Sequence, residues 1–350
     1  MTYTTNAIAA PSGSAPLERH VITRRDVHEH DVRIDIQWAG ICHSDIHTVR
    51  DEWGAKNYPL VPGHEIVGRV AEVGSHVTKH KVGDLVGVGC MVDGCRECEP
   101  CQAGLQQYCA KRATYTYGSK DPYFPEDQTQ GGYSQSIVVT EDFVLKVPEN
   151  LDTAAVAPLL CAGVTVFSPL RHWGAGPGKT VGVAGIGGLG HMAVKIAKAM
   201  GAHVVAFTSS LEKVETCKAL GADDVLITSD KEAMRSAGER FDIIISTLPG
   251  DHDMNPFIDL LRLDGTYVIV GALDMMTNPV NLPGLIRRRR AVAGSFIGGI
   301  PETQEMLDFC GEHNILSDIE LISADQVNEA YDRVVAGDVK FRFVIDAATI

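Results

Sequence analysis

Through the first 150 residues, apolar and polar positions alternate in short runs. Val32, Ile34, Ile36 and Trp38 form one face with polar residues between them, and Ile66 to Val73 and Leu85 to Val88 are further β segments separated by Gly and Asp. This pattern predicts a β-rich domain. From about residue 180 the texture changes to apolar strands that alternate with helical patterns: Thr180 to Ala184, Gly188 to Met200, His203 to Phe207 and Leu211 to Leu220. Asp224 to Ile227, Phe241 to Ile245 and Thr266 to Val270 continue the series, which predicts βαβ units and a doubly wound parallel sheet. After about residue 295 the chain leaves that sheet. Ser323 is placed to cap a helix with an apolar face of Val327, Ala330, Tyr331, Val334 and Val335, stopped by Gly337. A last strand, Phe341 to Ile345, is expected to rejoin the β-rich part, because so short a tail cannot build a core of its own. The expected fold is α/β. Residues 1–151 and 295–350 form the β-rich domain, and 152–294 form a doubly wound domain inserted between them.

Composition narrows the function. A chain of 350 residues that is 45% hydrophobic can bury two ordinary cores. No run reaches the roughly 18 to 20 apolar residues that cross a bilayer, and the start, Met1 to Asn6, lacks a basic segment followed by an apolar one, so a cytoplasmic location is expected. With 45 acids against 31 bases the formal charge is -14, which repels phosphate backbones and anionic lipid. Neither nucleic acid nor membrane is expected as a partner. The one basic run, Arg287 to Arg290, reads as a solvated element end or a subunit edge. The nine cysteines include five between Cys90 and Cys109, a clustering that points to metal rather than to disulfides.

Cys95, Cys98, Cys101 and Cys109 are spaced C-x2-C-x2-C-x7-C, with Gly94, Pro100 and Gly104 supplying turns. Three thiolates at two-residue intervals wrap one face of a tetrahedral ion and a fourth closes it, which describes a structural zinc with no open position. An iron–sulfur cluster uses the same ligands, but nothing else in the chain points to electron transfer. A second set is more scattered. Cys42-His43-Ser44-Asp45-Ile46-His47 follows a predicted strand, Gly63-His64-Glu65 opens another, and Cys161 lies where the domains should meet. Two thiolates and one imidazole leave zinc a fourth position for water or substrate oxygen, as in catalytic sites.

Thr180 to Ala184 runs into Gly185-Ile186-Gly187-Gly188-Leu189-Gly190, with a helix behind it. Between a strand and a helix, G-x-G-x-x-G is a dinucleotide fingerprint: the first glycine allows the turn, the second admits the pyrophosphate and the third lets helix and strand pack closely. At the end of the next strand, where NAD enzymes usually carry an acid, this chain has Thr208, Ser209 and Ser210, followed by Lys213. Hydroxyls and a cation with no carboxylate favour the 2′-phosphate of NADP(H). Thr247, Gly271, Ala272 and Leu273 follow later strands of the same sheet and are expected to border the nicotinamide.

Together these motifs resemble the zinc-dependent medium-chain alcohol dehydrogenases, and within them the NADP-dependent cinnamyl alcohol dehydrogenase-like group with its bacterial aldehyde reductases. The resemblance covers nearly the whole chain. It rests on Cys-His-Ser-Asp-Ile-His at 42–47, Pro-Gly-His-Glu at 62–65, the four-cysteine lobe, Leu-Leu-Cys-Ala-Gly at 159–163 and Gly-Ser-Phe-Ile-Gly-Gly at 294–299. It implies a GroES-like catalytic domain with an inserted Rossmann domain, two Zn2+ per chain, NADP(H) and a homodimer. By the same resemblance Cys42, His64 and Cys161 hold the catalytic zinc, with Glu65 beside or transiently on it, and Asp45 orients the histidine. Ser44 takes the alcohol proton and passes it through the cofactor ribose to His47, whose ordinary pKa near neutrality suits delivery to solvent. His43, Ser295, Ile297 and Lys340 are implied cofactor contacts. Thr48, Trp53, Phe296 and Ile297 are implied to line a pocket for an aromatic or medium aliphatic aldehyde or alcohol. Trp53 stands where plant members carry a smaller aliphatic residue, which reshapes that pocket. A zinc-free quinone reductase and a non-catalytic NADP-binding protein share the scaffold. The first needs neither metal set, and the second is expected to have lost Ser44, His47 or a ligand.

Overall fold

The computed structural model describes residues 2–54, 57–124, 127–271 and 277–350. The chain forms two compact units, Met1–Cys161 with Gly298–Ile350, and Ala162–Ile297. The first junction lies beyond residue 151, because Thr153–Val156 and the 3-10 turn Ala157–Leu160 are buried against the strands of the first unit.

The first unit is built on a seven-stranded sheet. Its path runs Ile319–Ile322, Arg342–Asp346, Asp31–Gly40, Ile66–Val73, Leu85–Val88 and Leu145–Lys146, with Ser136–Thr140 also pairing Asp31–Gly40. The expected alternation is seen in Asp31–Gly40: Val32, Ile34 and Ile36 are buried, while Asp35 and Gln37 face solvent. The strand at 342–346 returns antiparallel to it, Val344 opposite Gly40 and Ile345 opposite Ala39. That register sets Arg342 beside the end of Asp31–Gly40, where the chain turns into its first helix, His43–Val49. An antiparallel hairpin, Thr2–Ala9 with Glu18–Arg25, adds to this unit. Its buried Arg24 donates to the carbonyls of Gln130, Gly131 and Ser136 and to Ser134 Oγ. Those contacts satisfy a guanidinium whose pKa burial lowers to about 10.

The second unit is the doubly wound sheet. Six parallel strands lie in the order Asp224–Ile227, His203–Thr208, Thr180–Ala184, Phe241–Ser246, Leu261–Ile269 and Ala291–Gly294. Strands buried on both faces must be apolar throughout, so they read as apolar runs. Phe207, Phe241, Ile244, Phe257 and Tyr267 fill one side of the sheet. The expected helix at 188–200 is Gly190–Ala199, and the one at 211–220 begins as a 3-10 turn, Leu211–Lys213, before Val214–Ala219.

Past residue 298 the helix Ile300–His313 is followed by Val327–Ala336. Ser323 caps the 3-10 turn Ala324–Gln326 through a capping box with Gln326, and Gly337 ends the helix in the left-handed region at φ 71°. Val335 shares that face by spacing but lies in the helix's last turn, at the edge of the buried stripe of Val327, Ala330 and Tyr331, and is 52% exposed. Among the described residues no single helix is long and apolar enough to cross a membrane.

Candidate metal centres and dinucleotide site

The four-cysteine lobe closes on itself. Cys98 stands at the N-terminal cap of the short helix Glu99–Gln102, Cys101 lies within it, and Cys109 ends the 3-10 turn Gln106–Tyr108. Arg96 at φ 60° and Gly104 at φ 78° bend the chain so that all four sulfurs lie within 4.8 Å of one another. Cys95 Sγ is 3.8 Å from Cys101 Sγ, and Cys98 Sγ is 3.9 Å from Cys109 Sγ. A disulfide needs about 2.05 Å, whereas thiolates about 2.3 Å from one tetrahedral ion stand about 3.8 Å apart. The amides of Cys98 and Ala110 donate to Cys95 Sγ and Cys98 Sγ, both at 3.4 Å. The first of these, with the Glu97 amide, pulls the Cys95 thiol down to about 6, whereas burial pushes Cys101 up to about 12. Sulfurs packed so closely ionise together only with a cation between them, so this donor set fits a closed zinc site.

The second set is assembled from three distant segments of the first unit. Cys42 follows the strand Asp31–Gly40, His64 and Glu65 precede Ile66–Val73, and Cys161 ends the turn Ala157–Leu160. One ligand atom from each lies within 4.8 Å of the others, and all four residues are buried. Cys42 Sγ and Cys161 Sγ are 3.9 Å apart, again the separation of sulfurs sharing an ion. Asp45, fully buried, holds the set together. Its Oδ2 accepts from Cys42 N at 2.9 Å, and its Oδ1 meets His64 Nδ1 at 2.9 Å and accepts from Gly63 N at 3.1 Å. One carboxylate thus caps the helix His43–Val49 and leaves His64 its Nε2 as the ligand atom.

The charges of the pocket favour a cation. Burial opposes a charge on His64, yet the Asp45 carboxylate and the Cys90 and Cys42 thiols hold its imidazole well above its ordinary value. Hydrogen bonding with Cys161 and the nearness of His64 hold the Cys42 thiol well below its own. Burial pushes Glu65 up to about 7 although Arg342 draws it down. Glu65 Oε1 pairs with Arg342, which also donates to the carbonyl of Ile41 at 2.8 Å, while Glu65 Oε2 is buried with no hydrogen-bond partner. An orphaned buried carboxylate oxygen among two thiols and an imidazole fits a metal ligand. Gly40 is required here, since any side chain would collide with Glu65.

Sequence reasoning missed three participants. Arg342 carried the one available signal, a cation inside the apolar run Phe341 to Ile345. Tyr133 donates to Asp45 Oδ2 at 3.3 Å. Cys90 is outside both predicted ligand sets, yet its thiol hydrogen-bonds with that of Cys161, which lowers the Cys90 pKa; hydrogen bonding with Cys42 and then with Cys90 raises that of Cys161. Cys217 and Cys310 are fully buried and act as small hydrophobes.

Ser44 and His47 lie one turn apart on the helix His43–Val49. His47 Nδ1 pairs with Glu52, and its ring stacks on Trp53 with centroids 4.9 Å apart and lies 5.6 Å from that of His43. Thr48 is buried and donates to the Ser44 carbonyl at 2.8 Å, so its hydroxyl serves the helix. Trp53 is largely exposed.

In the second unit the cofactor candidates gather at the carboxyl ends of the parallel strands. Gly185 has φ 89°, and Thr247 Oγ1 donates to its carbonyl at 2.8 Å, clamping the turn after Thr180–Ala184 to the neighbouring strand. A side chain at Gly190 would strike the Gly185 carbonyl, while one at Gly187 would meet open space, the room a pyrophosphate needs. Gly188 and Leu189 complete the turn, Leu189 at the cap of Gly190–Ala199. Thr208 is buried and accepts from Ser210 N at 3.2 Å, whereas Ser209 and Lys213 are exposed. Gly271 packs against the Leu248 carbonyl. Ser295 N donates to Ile269 O at 3.0 Å, Phe296 is 48% exposed, and Ile297 is buried at φ 40°. Ala272 and Leu273 lie outside the described residues. His43 and Lys340 belong to the first unit, where both are exposed.

Residues 28–149 match the alcohol dehydrogenase GroES-like domain and residues 188–312 the zinc-binding dehydrogenase domain. The chain therefore belongs to the zinc-binding alcohol dehydrogenase family, and it is an oxidoreductase with a GroES-like domain and a Rossmann-type nucleotide-binding domain. It is 56% identical over 345 residues to aldehyde reductase YahK of Escherichia coli K12, covering 98% of each chain. To NADP-dependent alcohol dehydrogenase C 1 of Mycolicibacterium smegmatis it is 54% identical, over 99% of each. The structure of a cinnamyl alcohol dehydrogenase from Helicobacter pylori, solved in complex with NADP(H), superposes with a TM-score of 0.91 at 41% identity, over 99% of both chains.

Proposed function

We propose that this dehydrogenase interconverts primary alcohols and aldehydes with NADP(H), working chiefly as a reductase of aromatic or medium aliphatic aldehydes. The buried set of Cys42, His64, Glu65 and Cys161 around Asp45 carries the reading. When bound, zinc polarises the substrate oxygen as a Lewis acid and the nicotinamide supplies or accepts the hydride. The chain does the rest. Cys42, Cys161 and His64 Nε2 would hold the ion, with a further position that Glu65 or the substrate oxygen would occupy in turn; Asp45 fixes the imidazole tautomer, and Arg342 balances Glu65 so that its free oxygen stays turned to the donor set. Ser44 Oγ gives the proton that completes reduction, and His47, one turn on, exchanges protons with solvent while Glu52 holds its Nδ1. In the second unit the turn from Gly185 to Gly190 takes the pyrophosphate, and Ser209, Ser210 and Lys213 take the 2′-phosphate. The names of the two relatives above, one an aldehyde reductase and one NADP-dependent, support the substrate and cofactor.

The test combines metal analysis with NADPH oxidation by benzaldehyde. Two zincs per chain and turnover are expected. Cys161→Ala is expected to lose one zinc and the activity while circular dichroism stays native, and full activity in that variant sinks the reading. Two zincs are a closed and an open site, so o-phenanthroline should strip the open one first. The homodimer implied by the resemblance is checked by light scattering on the eluting enzyme.

A further inference from the structure

We propose a third metal site, on the surface of the first unit and apart from both zinc sets, formed by Glu29, His30 and His76 and suited to a borderline divalent cation such as Zn2+ or Ni2+. One ligand atom from each lies within 4.8 Å of the others, and all three residues are exposed. The His30 and His76 rings stand 5.3 Å apart with planes inclined at 57°, and His76 Nδ1 is 3.2 Å from Glu29 Oε2. Two imidazoles and a carboxylate select transition ions over Ca2+ and Mg2+, which prefer all-oxygen shells.

Exposed side chains seldom form a site unless their backbones are fixed, and here they are. His76 N donates to Glu29 O at 2.8 Å and Gly74 N to Asp31 O at 2.8 Å, which ties the loop after Ile66–Val73 to the turn before Asp31–Gly40. Gly74 permits that approach, because a side chain there would run into the His28 and Glu29 carbonyls. A third segment locks the other two. Glu141 N donates to His30 O at 2.9 Å, and Glu141 Oε2 accepts from Thr78 N and Lys79 N, both at 2.9 Å. The other carboxylate oxygen, Oε1, lies 3.7 Å from His30 Nδ1. That carboxylate adds negative potential beside the His30 ring, which favours a cation at the cluster. A cation there would cross-link the two loops, bracing an edge of the sheet.

Isothermal titration of the zinc-loaded enzyme with Ni2+ tests this. One Ni2+ per chain is expected, with a rise in melting temperature of about 2–4 °C at saturation. His76→Ala and His30→Ala should each abolish the uptake and the rise, and Glu29→Gln should weaken both. None of these residues belongs to the catalytic set, so benzaldehyde turnover should be unchanged, which also shows that the variants fold. Uptake that persists in His30→Ala/His76→Ala, or no uptake by the unaltered chain, overturns the proposal.

Discussion

Asp45 carries more structure per atom than any other residue of the site. It closes the N-terminus of the helix His43–Val49, fixes Gly63 and holds His64 Nδ1, with no contact to solvent. Asp45→Asn keeps the shape and loses the charge that favours the ligand tautomer. Zinc affinity at the second set should fall by about 10- to 100-fold, measured by chelator competition. An unchanged affinity would mean that the carboxylate serves only as a cap. At the nucleotide edge the neighbours Thr208 and Ser209 differ in role. Thr208 is buried and busy with Ser210 N, so the exposed Ser209 is the position where an acid would repel a 2′-phosphate. Ser209→Asp should move the ratio of kcat/KM for NADPH over NADH toward NADH by about tenfold or more, equivalent to about 1.4 kcal/mol. A ratio that does not move would place the phosphate elsewhere. The ligands themselves were legible in the sequence because spacing and neighbours mark them. Arg342, Tyr133 and Cys90 were not, since each acquires its meaning from a partner far along the chain.

At the level of elements the parallel strands were the most legible, because a strand covered on both faces has to be apolar from end to end. Less legible was the hairpin Thr2–Ala9 with Glu18–Arg25, whose mixed composition gives no clean alternation. The extra length of Leu261–Ile269 was also hidden, since Arg262 and Asp264 interrupt its apolar run. The basic run fits its expected place only in part: Arg288 pairs with Glu239 and Arg289 with Asp264 where the helix Leu282–Arg288 ends, but the Arg290 side chain is buried and donates to the carbonyls of Leu261, Gly284 and Asp259. One acid joins two adjacent strands of the sheet. Asp242, on Phe241–Ser246, accepts from Thr180 N at 2.9 Å and Lys179 Nζ at 3.0 Å, and it pairs with Arg262. Partial burial opposes its ionisation, but the Thr180 amide, Lys179 and Arg262 outweigh that and hold the carboxyl below its ordinary value. A carboxyl depressed in the folded state stabilises fully above the unfolded value of about 3.9 and ceases to do so as pH falls through the folded value. Asp242→Asn should therefore cost about 1 kcal/mol at pH 7 and less as the pH drops below about 4. Melting temperatures across that range check it, and a difference independent of pH would show that charge plays no part.

For the molecule as a whole, the proposed function divides the labour of the two cysteine-bearing sets between holding the chain and working on a substrate. The lobe from Cys95 to Cys109 has only short elements of its own, so a metal held there would supply folding free energy directly. Cys98→Ser should lose one zinc per chain and lower the melting temperature, while the chains that remain folded keep their turnover. An unchanged metal count would remove the structural role. The second set depends instead on segments far apart along the chain. Arg342 comes 277 positions after the carboxylate it balances. A ribosome that has already produced every sulfur and imidazole of the centre has yet to make the counter-charge for Glu65. The donor set around Glu65 is therefore complete only once the segment bearing Arg342 has docked, and without that guanidinium burial would drive the Glu65 carboxyl to its protonated form, turning a donor oxygen into a hydroxyl.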